Sequence, residues 1–126
     1  EHLIRATLDA LAYQTKDVLM AMQTDAEMEL QNLQVDGGAC ANDVLMQFQA
    51  DILDVEVVRP VIIESTALGA AYMAGISVGL WKMDQLKKNK RIERKFVPAM
   101  EEDKRFRLYK GWKKAVARTM NWVEHD

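Results

Sequence analysis

The sequence predicts an α/β fold with parallel strands, and three observations predict it. Helical and strand periodicities alternate between residues 4 and 58. A glycine turn, Asp36-Gly37-Gly38, closes a strand and leads into a capped helix. Residues 65–81 carry no charge and have the length of a helix that packs on a sheet.

Taken in order, Ile4, Leu8, Leu11, Val18 and Met22 recur at helical spacing and predict a long first helix that ends in the polar stretch 23–29. Leu33 and Val35 alternate with Gln34, a short strand stopped by the glycine turn. Asn42 is the expected N-cap of a second helix, with Val44, Leu45, Phe48, Ile52 and Leu53 on one face. Val55, Val57 and Val58 form a β-branched run ended by Pro60, a second strand.

The uncharged stretch 65–81 would span about 25 Å as a helix at ~1.5 Å per residue. That is short of the roughly 20 apolar residues of a membrane span. Gly75 and Gly79 form a GxxxG pair, a pattern also found in bilayer helices. A buried helix is the preferred reading, with Gly69, Ala70, Ala74 and Gly75 allowing close approach to a sheet. Beyond Trp81, the basic run 87–95 reads as a linker or a solvated face. A last helix follows, with Phe106, Tyr109, Trp112, Val116 and Met120 as a core-facing stripe. The expected organisation is therefore an α/β core over 1–81, and a basic connection plus a C-terminal helix over 82–126 packing on the same domain.

Composition narrows the class. The chain has 126 residues, 49% of them hydrophobic and 29% charged, which excludes disordered and collagen-like chains. A lone cysteine, Cys40, excludes an internal disulfide and fits a reducing, cytoplasmic setting. No secretory pattern is visible, and a start at Glu1 reads as a fragment or a processed product. Residues 1–81 hold three basic and twelve acidic side chains, a net −9, whereas 82–126 hold fourteen and seven, a net +7. The basic segment 82–95 opens the alternative of a non-enzymatic interaction module. No aromatic or glycine is interleaved there to meet bases, so no nucleic acid is expected.

His2 and His125 stand at opposite ends of the chain, and no zinc, P-loop, dinucleotide or nucleophile-elbow pattern occurs. Cys40 has no base near it in sequence and reads as structural. One constellation remains: Gly37, Gly38, Ala39 and Asn42, between a strand and a helix N-terminus. Small residues there let backbone approach a ligand, and the helix end offers free amides, which suits a nucleotide. A plain strand-to-helix turn with an Asn cap accounts for the same residues.

Beyond spacing, there is a resemblance. Leu33-Gln34-Val35-Asp36-Gly37-Gly38-Ala39-Cys40-Ala41-Asn42, continued by residues 45–53, resembles the C-terminal domain of the FGGY carbohydrate kinases, and 64–75 resembles its next helix. Residues 2–9 look like the end of a family signature. Residues 111–116 and 122–126 are similar to the extreme C-terminus of the glycerol-phosphorylating members. The likeness covers essentially the whole chain. It implies an actin-like, ribonuclease-H-like ATPase fold in which two domains close over ATP and glycerol. The implied reaction passes the γ-phosphoryl of ATP to glycerol with Mg²⁺, giving glycerol 3-phosphate. Another sugar or polyol kinase of the same fold is the alternative.

Carried over by position, the resemblance implies that Gly38 meets the nucleotide through its backbone and Asn42 hydrogen-bonds the adenine or ribose region. Gly37 and Ala39 shape the turn, and Asp36 stabilises it. No catalytic residue and no metal ligand is implied here, so these 126 residues alone are expected to be inactive and to meet glycerol only through an upstream part. Asp43 departs from the family pattern, which has a second asparagine there, and Cys40 replaces an apolar residue. Incomplete strand edges and an apolar 65–81 helix lead to the expectation of a homo-oligomer.

Overall fold

The helix at the centre of the molecule forms where the sequence offers a cap, an unbroken helix-forming run and an apolar stripe. In a computed structural model, which describes residues 1–88 and 91–120 with the side chains of 87 and 88 excepted, this is α2 (Asp43–Leu53). Residues 89 and 90 of the basic run, and the C-terminal stretch 122–126 with His125, lie outside the described residues. Preceding α2 are α1 (His2–Ala26), β1 (Asn32–Gln34) and a 3₁₀ turn (Gly38–Ala41). After it come β2 (Glu56–Pro60), α3 (Ser65–Ser77), α4 (Met83–Lys88), β3 (Ile92–Phe96) and α5 (Glu102–Thr119).

The strands stand in the order β1-β2-β3. β1 and β2 are parallel, with Leu33 opposite Val57, and α2 makes the crossover between them. β3 runs antiparallel along the other edge of β2, with Phe96 opposite Val57. The pairing shifts between Arg59 and Pro60, where proline has no N–H to give. The core lies between this sheet and α2. Leu45, Met46, Phe48 and Ile52 are buried there with Cys40, Val57 and Phe96, and α1 adds Ala12 and Tyr13.

Both ends of α2 are held by side chains. Asn42 caps the start. At the other end Lys16 Nζ donates to the Ile52 carbonyl at 2.6 Å, and Arg105 donates to that of Asp51 at 3.3 Å. Cations at a helix C-terminus satisfy orphan carbonyls and oppose the negative end of the dipole.

Four sequence expectations change. The sheet is mixed rather than parallel throughout, because residues 92–95 of the run read as linker or solvated face form β3 together with Phe96. Every side chain of β3 but Phe96 is exposed, so no alternating apolar signal marks this edge strand. On α1 the inward stripe runs through Leu8, Ala12 and Tyr13, while Ile4, Leu11, Val18 and Met22 are exposed. Alanine carries little hydrophobic weight, which hides such a stripe. On α5, Tyr109 and Trp112 pack on the core but Phe106 is 66% exposed.

The fourth change concerns residues 65–81. The helix stops at Ser77, and among its residues Gly75 alone is buried. Its glycines have local reasons: any Cβ on Gly75 would overlap the Trp81 indole, and Gly79 turns the chain with φ 76°. Between α3, α4 and the sheet lies an open cleft of about 1170 Å³, lined by Val58, Ile62, Leu68, Tyr72, Met73 and Ile92 among others.

Candidate functional site

The Asp36–Asn42 segment takes its shape from β1 and α2, the elements it joins. Gly37 has φ 77° and ψ 169°, a conformation open essentially to glycine alone. Its N–H donates to the Ile63 carbonyl at 2.6 Å, tying the turn to the chain beyond β2. The Ser65 hydroxyl, at the start of α3, hydrogen-bonds the Asp36 carboxylate. The 3₁₀ turn then closes with Cys40 N–H on the Gly37 carbonyl at 3.1 Å and Asn42 N–H on that of Ala39 at 3.2 Å.

This winding gives the turn an inside and an outside. Cys40 points into the core, 2% exposed, and burial pushes its thiol pKa up against the opposing pull of Arg59, so it is a packing residue. Gly38, Ala39, Ala41 and Asn42 face outward. A Cβ on Gly38 would meet nothing within 4 Å. Asn42 accepts a hydrogen bond from Leu45 N–H at 3.0 Å through Oδ1, the predicted cap. No described residue takes up its side-chain N–H groups.

The structure thus brings Gly37, Gly38, Ala39 and Asn42 into one exposed turn, with separable roles. Gly37 satisfies the backbone, Gly38 and Ala39 keep space clear, and Asn42 caps α2 with one end of its amide while offering the other. His2 stands exposed in the first turn of α1, far along the chain from this turn. Among the described residues, no group of three His, Cys, Asp or Glu comes together to hold a metal. Among them, too, no helix is long and apolar enough to cross a membrane.

Reading the sequence misses what lies behind the turn. Arg59 on β2 is buried, 8% exposed. It donates to the Cys40 carbonyl at 2.8 Å, to Asp43 at 2.8 Å and to Glu93 of β3 at 2.6 Å. Its hydrogen bonds to Glu93 and Asp43 hold the guanidinium pKa above even its usual high value. Arg94 binds the other oxygen of Asp43. The signal was present, since Arg59 is the one charge among Val57, Val58 and Pro60, and a charge inside a β-branched run needs partners.

A family model described as the FGGY family of carbohydrate kinases, C-terminal domain, matches residues 1–78. The chain belongs to this family. Its curated relatives include the glycerol kinase of Caldanaerobacter subterraneus, 63% identical, and that of Treponema denticola, 61% identical, each matched over 98% of this chain. The glycerol kinase of Haemophilus influenzae is 59% identical over 99% of it. This FGGY chain spans about a quarter of the length of these relatives. Among solved structures, Plasmodium falciparum glycerol kinase with ADP superposes on 97% of the chain and 25% of its own, with a TM-score of 0.82 and 34% identity. A xylulose kinase from Lactobacillus acidophilus shares the fold over 95% of the chain and 25% of its own, with a TM-score of 0.79 at 16% identity.

Proposed function

We propose that this chain builds the adenosine side of the nucleotide site in an ATP-dependent glycerol kinase, an enzyme that transfers the γ-phosphoryl of ATP to glycerol and yields glycerol 3-phosphate. One observation carries the reading: relatives named glycerol kinase are 57% to 63% identical along nearly the whole chain. The outward turn supports the residue roles. Gly38 and Ala39 would lie against the nucleoside, and Asn42 would donate from its amide nitrogen to an acceptor on the base or ribose, since its oxygen is engaged by Leu45.

Mg²⁺ would neutralise the phosphates in such a reaction. The carboxylates by the turn do not fit it: Asp36 is engaged by Ser65, and Asp43 is paired with both Arg59 and Arg94. Catalytic carboxylate, metal ligands and glycerol contacts are assigned to the part of the enzyme outside these residues. The interaction-module alternative loses support because Arg94 and Lys95 are spent within the fold, on Asp43 and Glu56. A buried free Cys40 fits a cytoplasmic enzyme.

The test is a chimera. Joined behind the first three quarters of the Caldanaerobacter glycerol kinase, this chain should restore ATP-dependent glycerol phosphorylation to a truncated enzyme that has none. A folded chimera that binds ATP and phosphorylates another polyol, but not glycerol, would overturn the substrate assignment.

The 126 residues expressed alone should be inactive and should self-associate. Leu3, Ile4, Val18, Met73, Val78 and Leu80 are all exposed, and β1 pairs on one edge with β2. Sedimentation across a range of concentrations checks this, and a concentration-independent mass of 14.4 kDa would contradict it.

A further inference from the structure

Arg59 sits where two of its three hydrogen bonds converge on the nucleotide turn. One nitrogen holds the Cys40 carbonyl, two residues past Gly38, and the same nitrogen holds Asp43, the neighbour of Asn42. Its Nε is held in turn by Glu93 on β3, and the guanidinium lies over the Phe96 ring at 5.2 Å. A planar fork so fixed has no freedom to follow the turn, so the turn follows it. The Cys40 and Asp43 contacts bracket Asn42 on both sides.

We infer that Arg59, braced by Glu93, is a positioning residue for adenosine binding: it fixes the outward faces of Gly38 and Asn42 without touching the ligand. This rests on the glycerol kinase reading of the turn. It also gives β3 a purpose, since the strand brings Glu93 and Arg94 to Arg59 and Asp43. Asp43, a charged residue at the first turn of α2, answers both arginines at once.

The test is made on the full-length enzyme carrying this chain, with KM for ATP and for glycerol measured separately in Arg59→Met, Arg59→Lys and Glu93→Gln. Arg59→Met should raise the KM for ATP by about tenfold, the size of a lost charge-assisted contact. Lysine, a point charge without the fork, should recover part of that loss. Glu93→Gln should raise it about threefold and add nothing in the Arg59→Met background, because both act through one network. The KM for glycerol should stay within about twofold throughout.

Glu93 stands on β3 and reaches the turn through Arg59, so a rise in the KM for ATP with the KM for glycerol unchanged is not what general loosening would produce. If Arg59→Met does not fold, the ATP KM of Glu93→Gln decides. Folded Glu93→Gln and Arg59→Lys enzymes with unchanged KM for ATP would overturn the inference while leaving the kinase reading intact. A wild-type enzyme that neither binds ATP nor phosphorylates glycerol would overturn both.

Discussion

Gly38→Val in the chimeric enzyme is expected to weaken ATP binding by about ten- to a hundredfold, with the melting temperature nearly unchanged. Overfilling a packed contact costs about 1–3 kcal/mol, and every 1.4 kcal/mol is about tenfold in affinity. The fold itself has no objection, because a Cβ there meets nothing within 4 Å and the backbone is not in the left-handed region. Gly37→Ala is the control with the opposite signature. Its φ of 77° makes any side chain strained, so it should lose about 1–3 kcal/mol of stability whatever the ligand does.

Asn42 separates in the same way. Asn42→Ala removes the cap to Leu45, about 1 kcal/mol of stability, together with the proposed nucleotide donor. Asn42→Asp keeps the cap and loses the donor, so it should melt like wild type and bind ATP poorly. Calorimetric titration with ATP and a thermal melt of each variant give the full set. If Gly38→Val binds ATP normally and loses glycerol instead, the adenosine site has been misplaced.

The candidate turn was legible because its chemistry is local. Asp36-Gly37-Gly38 and Asn42 declare themselves through backbone demands, and such demands are met within a few residues. What stayed hidden depends on pairs far apart in sequence: Arg59 with Glu93, and Asn42's neighbour Asp43 with Arg94. Taken alone, Arg94 and Lys95 look like a solvated charge run. Only the fold shows that each has an acid within reach, Asp43 of α2 for Arg94 and Glu56 of β2 for Lys95. The same holds for α3. Its residues are apolar on every side, and periodicity then cannot say which side is covered. Amphipathic α2 posed less difficulty: spacing placed Leu45, Phe48 and Ile52 on its buried face, although Val44, expected with them, is 53% exposed.

The C-terminal helix leads to the second large effect. α5 has no fully buried residue; Leu108, Tyr109 and Trp112 pack half-buried on the core, and polar contacts complete its docking. Arg105 ties α5 to Asp51 and Asp54 at the end of α2, and three further side chains of α5 meet one carboxylate on α1. Asp17 accepts from Trp112 Nε1 at 2.7 Å, from the Tyr109 hydroxyl and from Lys113 at 3.4 Å, while Tyr13 stacks on Trp112 with ring centres 5.4 Å apart. Asp17→Ala should therefore cost about 3 kcal/mol, since hydrogen bonds to a charged group contribute about 1.5–3 kcal/mol and two half-buried donors lose their partner. The loss should be local before it is global. Hydrogen exchange should quicken across α5 while α2 and β2 keep their protection.

The pH dependence has a definite sign at each end. Burial alone would raise the Asp17 pKa, but hydrogen bonds from Trp112 and Tyr109 and the Lys113 charge bring it below the ordinary carboxylate value. Its contribution is present above the unfolded pKa of about 3.9 and is lost as pH falls through the lower folded value. Tyr109 is pushed up to about 12 by burial, then by its hydrogen bond to Asp17 and by that charge. Its contribution is complete below the unfolded pKa of about 10 and is lost as pH rises through the folded one. Docking of α5 should be flat between these limits and fail in alkali. In Asp17→Asn the tyrosinate absorbance of Tyr109 should appear at lower pH than in wild type. Unchanged exchange across α5 in Asp17→Ala, with an unchanged Tyr109 titration in Asp17→Asn, would show that something other than this carboxylate holds the helix.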